Sequence, residues 1–85
     1  MIIVNITEVE ITPMGEMAEL ILDRSVHPAL GMILIDDESL TWEITGCLQS
    51  TNRTTRDESS KLWTLVCKPV NTEKPIHPGV FKLMH

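Results

Sequence analysis

The residues able to do chemistry are few, and their spacing does not gather them. Asp23, Ser25 and His27 supply the residue types of a hydrolase triad. Such a triad holds nucleophile, base and orienting acid in line at hydrogen-bond distance. Side chains at alternate positions of one extended segment point the same way instead of converging, and no Gly-x-Ser-x-Gly elbow is present. Cys47 and Cys67 are the only cysteines. A reactive thiol needs a cationic neighbour, and Lys68 beside Cys67 is too little to supply one, so both read as small buried or half-buried hydrophobes. His27, His77 and His85 lack zinc-ligand spacing, and there is no Cys-x-x-Cys. His27 and His77 each precede a proline, which favours extended backbone at a loop start, and both read as solvated. Asp36, Asp37 and Glu38 are the types that hold a hard cation. A calcium loop, however, spreads its oxygens over about a dozen residues around a central glycine, so these read as a polar turn. No residue is therefore assigned a catalytic, cofactor-binding or metal-binding role. No cofactor is expected, nor is the chain expected to be an enzyme.

The elements that must position these residues are strands. Short apolar runs alternate with turn chemistry, and no segment sustains a helical stripe. Six strands are expected, at about Ile2 to Thr12, Glu16 to Leu22, Met32 to Ile35, Leu40 to Leu48, Lys61 to Lys68 and Gly79 to Met84. In the first, Ile2, Val4 and Ile6 share one parity while Val9 and Ile11 share the other. That change of phase predicts a bulge near Thr7. Pro13-Met14-Gly15 is a turn signal, and Asp36-Asp37-Glu38-Ser39 is a turn whose side chains bond their own backbone. Gln49 to Ser60 is entirely polar and is expected to be the most mobile segment, and Pro69 to Pro78 is a proline-containing loop.

If the polar segment closes a hairpin, Leu48 lies opposite Lys61. Ile44 then meets Leu65, Trp42 meets Cys67, and Gly46 leaves room for the Trp63 indole. Cross-strand apolar pairs of this kind stabilise a sheet by roughly 0.2–1 kcal/mol each. Both indoles are expected to point into the core. The same register sends the two thiols to opposite faces, which speaks against a disulfide, since that needs Cα atoms within roughly 7 Å.

Length and charge narrow the functional classes. The chain has 85 residues, enough for one small domain (residues 1–85) with a net stability of about 3–5 kcal/mol. Net charge is -5, with only 7 Lys and Arg against 12 Asp and Glu. Arg53 and Arg56 are followed at once by Asp57 and Glu58. Phosphate backbones are held by cations, so nucleic acid is not expected as the main partner. The scarcity of aromatic residues, with 2 Trp, 1 Phe and no Tyr, argues the same way against base stacking. No basic n-region with a long apolar stretch opens the chain, and no apolar run reaches spanning length. A cytoplasmic protein without membrane contact is expected. The sequons at Asn5 and Asn52 then carry no glycan.

The stretch from Val4 to Ile35 resembles the second-domain β-barrel of translation elongation factors of the elongation factor Tu type. Ile11-Thr12-Pro13-Met14-Gly15 looks like that family's turn, and Met17 to Leu22 like its return strand. Asp23-Arg24-Ser25 looks like its short loop, and Gly31-Met32-Ile33-Leu34-Ile35 like its glycine and third strand. Pro78-Gly79-Val80-Phe81-Lys82-Leu83 is similar to its closing strand. Leu20 and Ser25 stand where the family usually has glycine. The resemblance implies a small six-stranded antiparallel β-barrel, and a translation-associated RNA or ribosome contact as one alternative role. Without a Gly-x-x-x-x-Gly-Lys-Ser/Thr loop it carries nothing over about GTP.

The expected function is a non-catalytic protein-interaction module, working through a protein partner or through self-association. Its expected surfaces are the polar segment Gln49 to Ser60, the loops around His27 and His77, and an open sheet edge to which a partner adds a strand. Met14, Met17, Met32 and Met84 are adaptable side chains that either line an apolar patch or, for the most part, fill the core. The other alternative is a small-ligand-binding barrel using Glu43, Arg24 and His77 at its mouth.

Overall fold

Apolar side chains at alternate positions along short segments bury one face each, and here the segments wrap their buried faces around a common interior. The computed structural model describes residues 2–23, 25–49 and 60–85. Six strands are present: β1 (Ile2–Thr12), β2 (Gly15–Asp23), β3 (Ile33–Ile35), β4 (Thr41–Gln49), β5 (Ser60–Pro69) and β6 (Gly79–Met84). All neighbours are antiparallel, in the closed order β1-β2-β5-β4-β3-β6, with β6 pairing β1 to complete an all-β barrel. The barrel is closed, but its ladders are uneven: β3 pairs β4 only over Thr41 to Glu43, and β1 pairs β6 only over Ile2 to Ile6.

The turn from β1 to β2 depends on Gly15, whose φ of +132° is closed to residues with a side chain. A Cβ there would also press to 3.1 Å from Val66 Cγ1. The change of phase in β1 produces the expected bulge, as the register against β2 shifts between Ile6 and Glu8. Val4 and Ile6 can then face inward from the first half of β1, while Val9 packs against the core from the second.

The interior is filled. Trp42 is fully buried and packs edge-on against Phe81, their ring centroids 5.7 Å apart. Ile6, Leu20, Leu34, Ile44, Leu65 and Leu83 complete the closely packed centre. Each such side chain contributes about 1.5–3 kcal/mol by leaving water. Of the four adaptable methionines only Met32 enters the core. Met17 is half-buried, and Met14 and Met84 are exposed, so the expectation that most of them fill the interior does not hold.

The β4–β5 register corrects the sequence-based one. Ile44 lies opposite Cys67, Trp42 opposite Pro69, Cys47 opposite Leu65 and Leu48 opposite Thr64. A second bulge, between Ile44 and Gly46, inserts one residue and reverses the facing of everything after it. Cys47 therefore turns inward and joins the core margin on the same face as Cys67, instead of the opposite one. Gly46 leaves room for Val66, not for an indole: a Cβ there would sit 3.2 Å from Val66 Cγ2. Trp63 lies opposite Leu20 and Gln49 and packs only partly buried against the core. Residues 50–59, which contain most of the polar segment, lie outside the described residues, as does Arg24.

Candidate functional site

The loop of residues 70–78 forms a strap across one end of the barrel, and each of its attachments is specific. Val70 N donates to Thr41 O (2.9 Å). The Asn71 amide accepts from Thr41 N (2.8 Å) and donates to Ser39 O (3.1 Å). The Trp42 indole donates to Lys74 O (3.2 Å). Ile76 drives its side chain into the core while its N–H donates to Glu16 Oε2 (3.2 Å). Unsatisfied backbone and indole groups near a core are costly, and these bonds satisfy them while closing the barrel end.

At the end of the strap His77 meets Asp36. Asp36 opens the β3–β4 turn, and its Oδ1 accepts from the backbone N–H groups of Glu38 (2.9 Å) and Leu40 (2.8 Å), as the turn chemistry predicts. The same turn places Ser39 in the left-handed region, with φ of 64°. Asp36 is only 6% exposed, and its Oδ2 lies 3.2 Å from His77 Nε2. His77 Nδ1 lies 2.8 Å from Pro78 O. Both neighbours of the ring are acceptors, so both ring nitrogens must carry protons to bond them, and the arrangement fits the imidazolium. The pKa of His77 is accordingly raised, first by the bond to Pro78 O and then by Asp36, with Asp37 adding to the field against a smaller opposing effect of burial. For Asp36, burial alone would raise the pKa. The bonds from His77, Leu40 and Glu38 and the charge of His77 outweigh it and leave the carboxyl below its usual range. The ring also packs against Phe81, at 5.0 Å between centroids, and against the edge of Trp42, at 5.8 Å. His77 is thus an engaged latch with a half-exposed ring, not the freely solvated histidine expected from its place before a proline.

The other expected candidates stay apart. Ser25 donates through its Oγ (2.6 Å) and its N–H (2.9 Å) to Asp23 Oδ1, a local turn, while His27 is exposed. Glu43 stands between Ile33 and Lys68 across the sheet, and no bond joins it to His77 among the described residues. Among the described residues no group of three or more His, Cys, Asp or Glu could hold a metal ion. No helix among them is long and apolar enough to cross a membrane. Cys67 is buried, and burial, with Glu16 and Cys47 adding to it, pushes its pKa up to about 12; burial raises that of Cys47 as well. Both thiols should therefore react slowly with Ellman's reagent at neutral pH in the folded protein and quickly after unfolding. Rapid native reaction of either would contradict the inward facing of that residue.

The features that sequence reasoning missed lie on the outer walls. On the wall of β1, β6 and β3, Lys82 is flanked across the sheet by Ile3 on one side and Ile35 on the other. Val80 and Met84 lie two positions away along β6, and Ile33 pairs Met84. A groove of about 420 Å³ runs along this wall to Asp36, Asp37 and His77. On the far side, Glu8, Glu10 and Glu19 border a second groove of about 380 Å³ with Met17 and Leu48 in it. The signal of these walls in the sequence is apolar residues on both parities of one strand, as in Ile2-Ile3-Val4, Ile33-Leu34-Ile35 and the run from Val80 to Met84. No protein-family model, no curated protein and no solved structure matches the chain.

Proposed function

We propose that this chain is a non-catalytic protein-interaction module whose first partner is a second copy of itself, joined through the outer wall of β1, β6 and β3. The observation that carries the reading is the apolar ring around Lys82. Ile3 and Val80 are 61% and 62% exposed, and both stand beside a lysine whose stem is itself apolar. Clustered exposed aliphatic side chains favour burial against a partner. A two-fold interface must be self-complementary, and this wall carries both signs: Lys82 at its centre, Asp37 and Glu43 at its margins. A small domain also gains from added burial. The engagement of both His77 nitrogens supports the non-catalytic part of the reading, because the ring keeps no lone pair with which to take a proton.

Sedimentation velocity over about a hundredfold range of concentration tests the proposal. The weight-average coefficient of the wild-type chain should rise with concentration, while Val80→Asp should stay at the monomer value with an unchanged far-ultraviolet spectrum. A wild-type chain that remains monomeric throughout, or a Val80→Asp variant that associates as the wild type does, would overturn it.

A further inference from the structure

The groove along the wall of β1, β6 and β3 ends on titratable groups. Asp36 and Asp37 line it from the β3–β4 turn, Lys82 from β6, and His77 from the end of the strap. Two carboxylates therefore share this groove with two cations, but only while the His77 ring keeps both its protons. Glu43, at the margin of the wall, stands beside Lys68 across the sheet. The other groups packed on the ring are uncharged: Trp42 of β4, Phe81 of β6 and the carbonyl of Pro78. Glu16 of β2 is taken up by the neighbouring Ile76 N–H.

Loss of one proton from His77 acts on the groove in two ways. A neutral imidazole has a single N–H, yet both ring nitrogens face acceptors, Pro78 O at 2.8 Å and Asp36 Oδ2 at 3.2 Å. One bond of the clasp must then give way, in a ring that is itself part of the groove lining. The balance of charge is lost as well, because Asp36 and Asp37 stand against Lys82 alone. A two-fold contact sets one surface against its own copy, so a wall with an excess of one sign repels itself.

We infer that the joining of two copies through this wall is governed by the charge on His77: copies join while the ring is an imidazolium and part when it is neutral. The inference rests on the reading of this wall as a contact between copies, and adds its regulation. The bonds to Pro78 O and Asp36 raise the pKa of His77, so the change falls above the ordinary value of 6.5, and association is lost as pH rises through it.

Sedimentation velocity of the full chain in low salt, at about pH 5.5 and about pH 9, tests this. The self-dissociation constant of the wild type should be at least about threefold larger at the higher pH. His77→Gln carries no charge at either pH and should associate weakly at both. Asp37→Asn leaves one carboxylate against Lys82 when the ring is neutral, so it should associate at the higher pH at least as tightly as at the lower. Asp37 makes none of the clasp's hydrogen bonds, so this variant decides the matter even where His77→Gln fails to fold. His27 and His85 are present in all three chains, so a difference between the chains belongs to the wall. Equal wild-type constants at the two pH values would overturn the inference and leave the contact between copies standing. A His77→Gln variant that keeps the wild-type dependence, or an Asp37→Asn variant that still weakens at the higher pH, would overturn it too. A wild type that is monomeric at both pH values would overturn the contact and the inference together.

Discussion

Replacement of Trp42 by alanine should leave most of the chain unfolded at room temperature. Trp42 is fully buried, packs edge-on against Phe81 and His77, and anchors the strap through its indole N–H to Lys74 O. Truncating a buried tryptophan to alanine costs about 3–5 kcal/mol. A single domain of this size has about 3–5 kcal/mol in all. Trp42→Phe keeps a ring in the core and should fold, at a cost of about 1–3 kcal/mol from lost volume and the lost bond to Lys74. Trp63 provides the contrast. Its Nε1 is buried with no hydrogen-bond partner among the described residues, so Trp63→Phe removes a donor that those residues do not satisfy. That variant should change stability by less than about 1 kcal/mol. Urea midpoints for the three variants check the order, and a Trp63→Phe variant as damaged as Trp42→Phe would contradict it.

The second large effect falls on Asp36, and it depends on pH. Asp36→Ala strands the part-buried N–H groups of Glu38 and Leu40 and releases His77, a loss of about 2–4 kcal/mol in total. Asp36→Asn keeps an oxygen for the two N–H groups and loses only the charge on His77. Because the ring is half exposed and screened, that loss should be about 1 kcal/mol. The folded pKa of His77 is raised, so its contribution is complete below the ordinary value of 6.5 and fades as pH climbs through the higher folded value. The folded pKa of Asp36 is lowered, so its contribution is complete above 3.8 and fades as pH falls through the lower folded value. The clasp is therefore strongest between about 3.8 and 6.5. Denaturation at pH 5.5 should separate wild type from Asp36→Asn, and the gap should shrink by pH 9. A gap that stays constant or widens with rising pH would show that His77 is not held as the imidazolium.

Much of the barrel was legible because each strand's buried side chains repeat at alternate positions. The phase change from Val4 and Ile6 to Val9 disclosed the first bulge, since apolar residues on one parity stop where those on the other begin. The second bulge gave no such signal. After Ile44 both parities carry small or apolar residues, Gly46 and Leu48 on one and Cys47 on the other, so alternation could not say which turns inward. The error in the facing of Cys47 and Leu48 follows from that ambiguity, whereas the pairing of Trp63 with Gln49 also reflects a register already two residues off at Ile44, before the bulge. The turn at Asp36 was visible as local chemistry, because a carboxylate accepting the N–H groups two and four residues on is a short-range event. Its burial under His77 was not visible, because the two residues lie 41 positions apart and meet only when the strap crosses the barrel end. The outer walls escaped for a related reason: Ile3, Lys82 and Ile35 come from three strands and become neighbours only through the β1–β6–β3 register.

Amide chemical shifts recorded while a concentrated sample is diluted bear most directly on the reading of the barrel wall as a contact between copies. Shifts should move for Ile3, Ile33, Ile35, Val80, Lys82 and Met84 together, stay still for Ile21 and Leu62 across the barrel, and vanish in Val80→Asp. Spectra that do not change on dilution, or changes that fall away from these six residues, would contradict it.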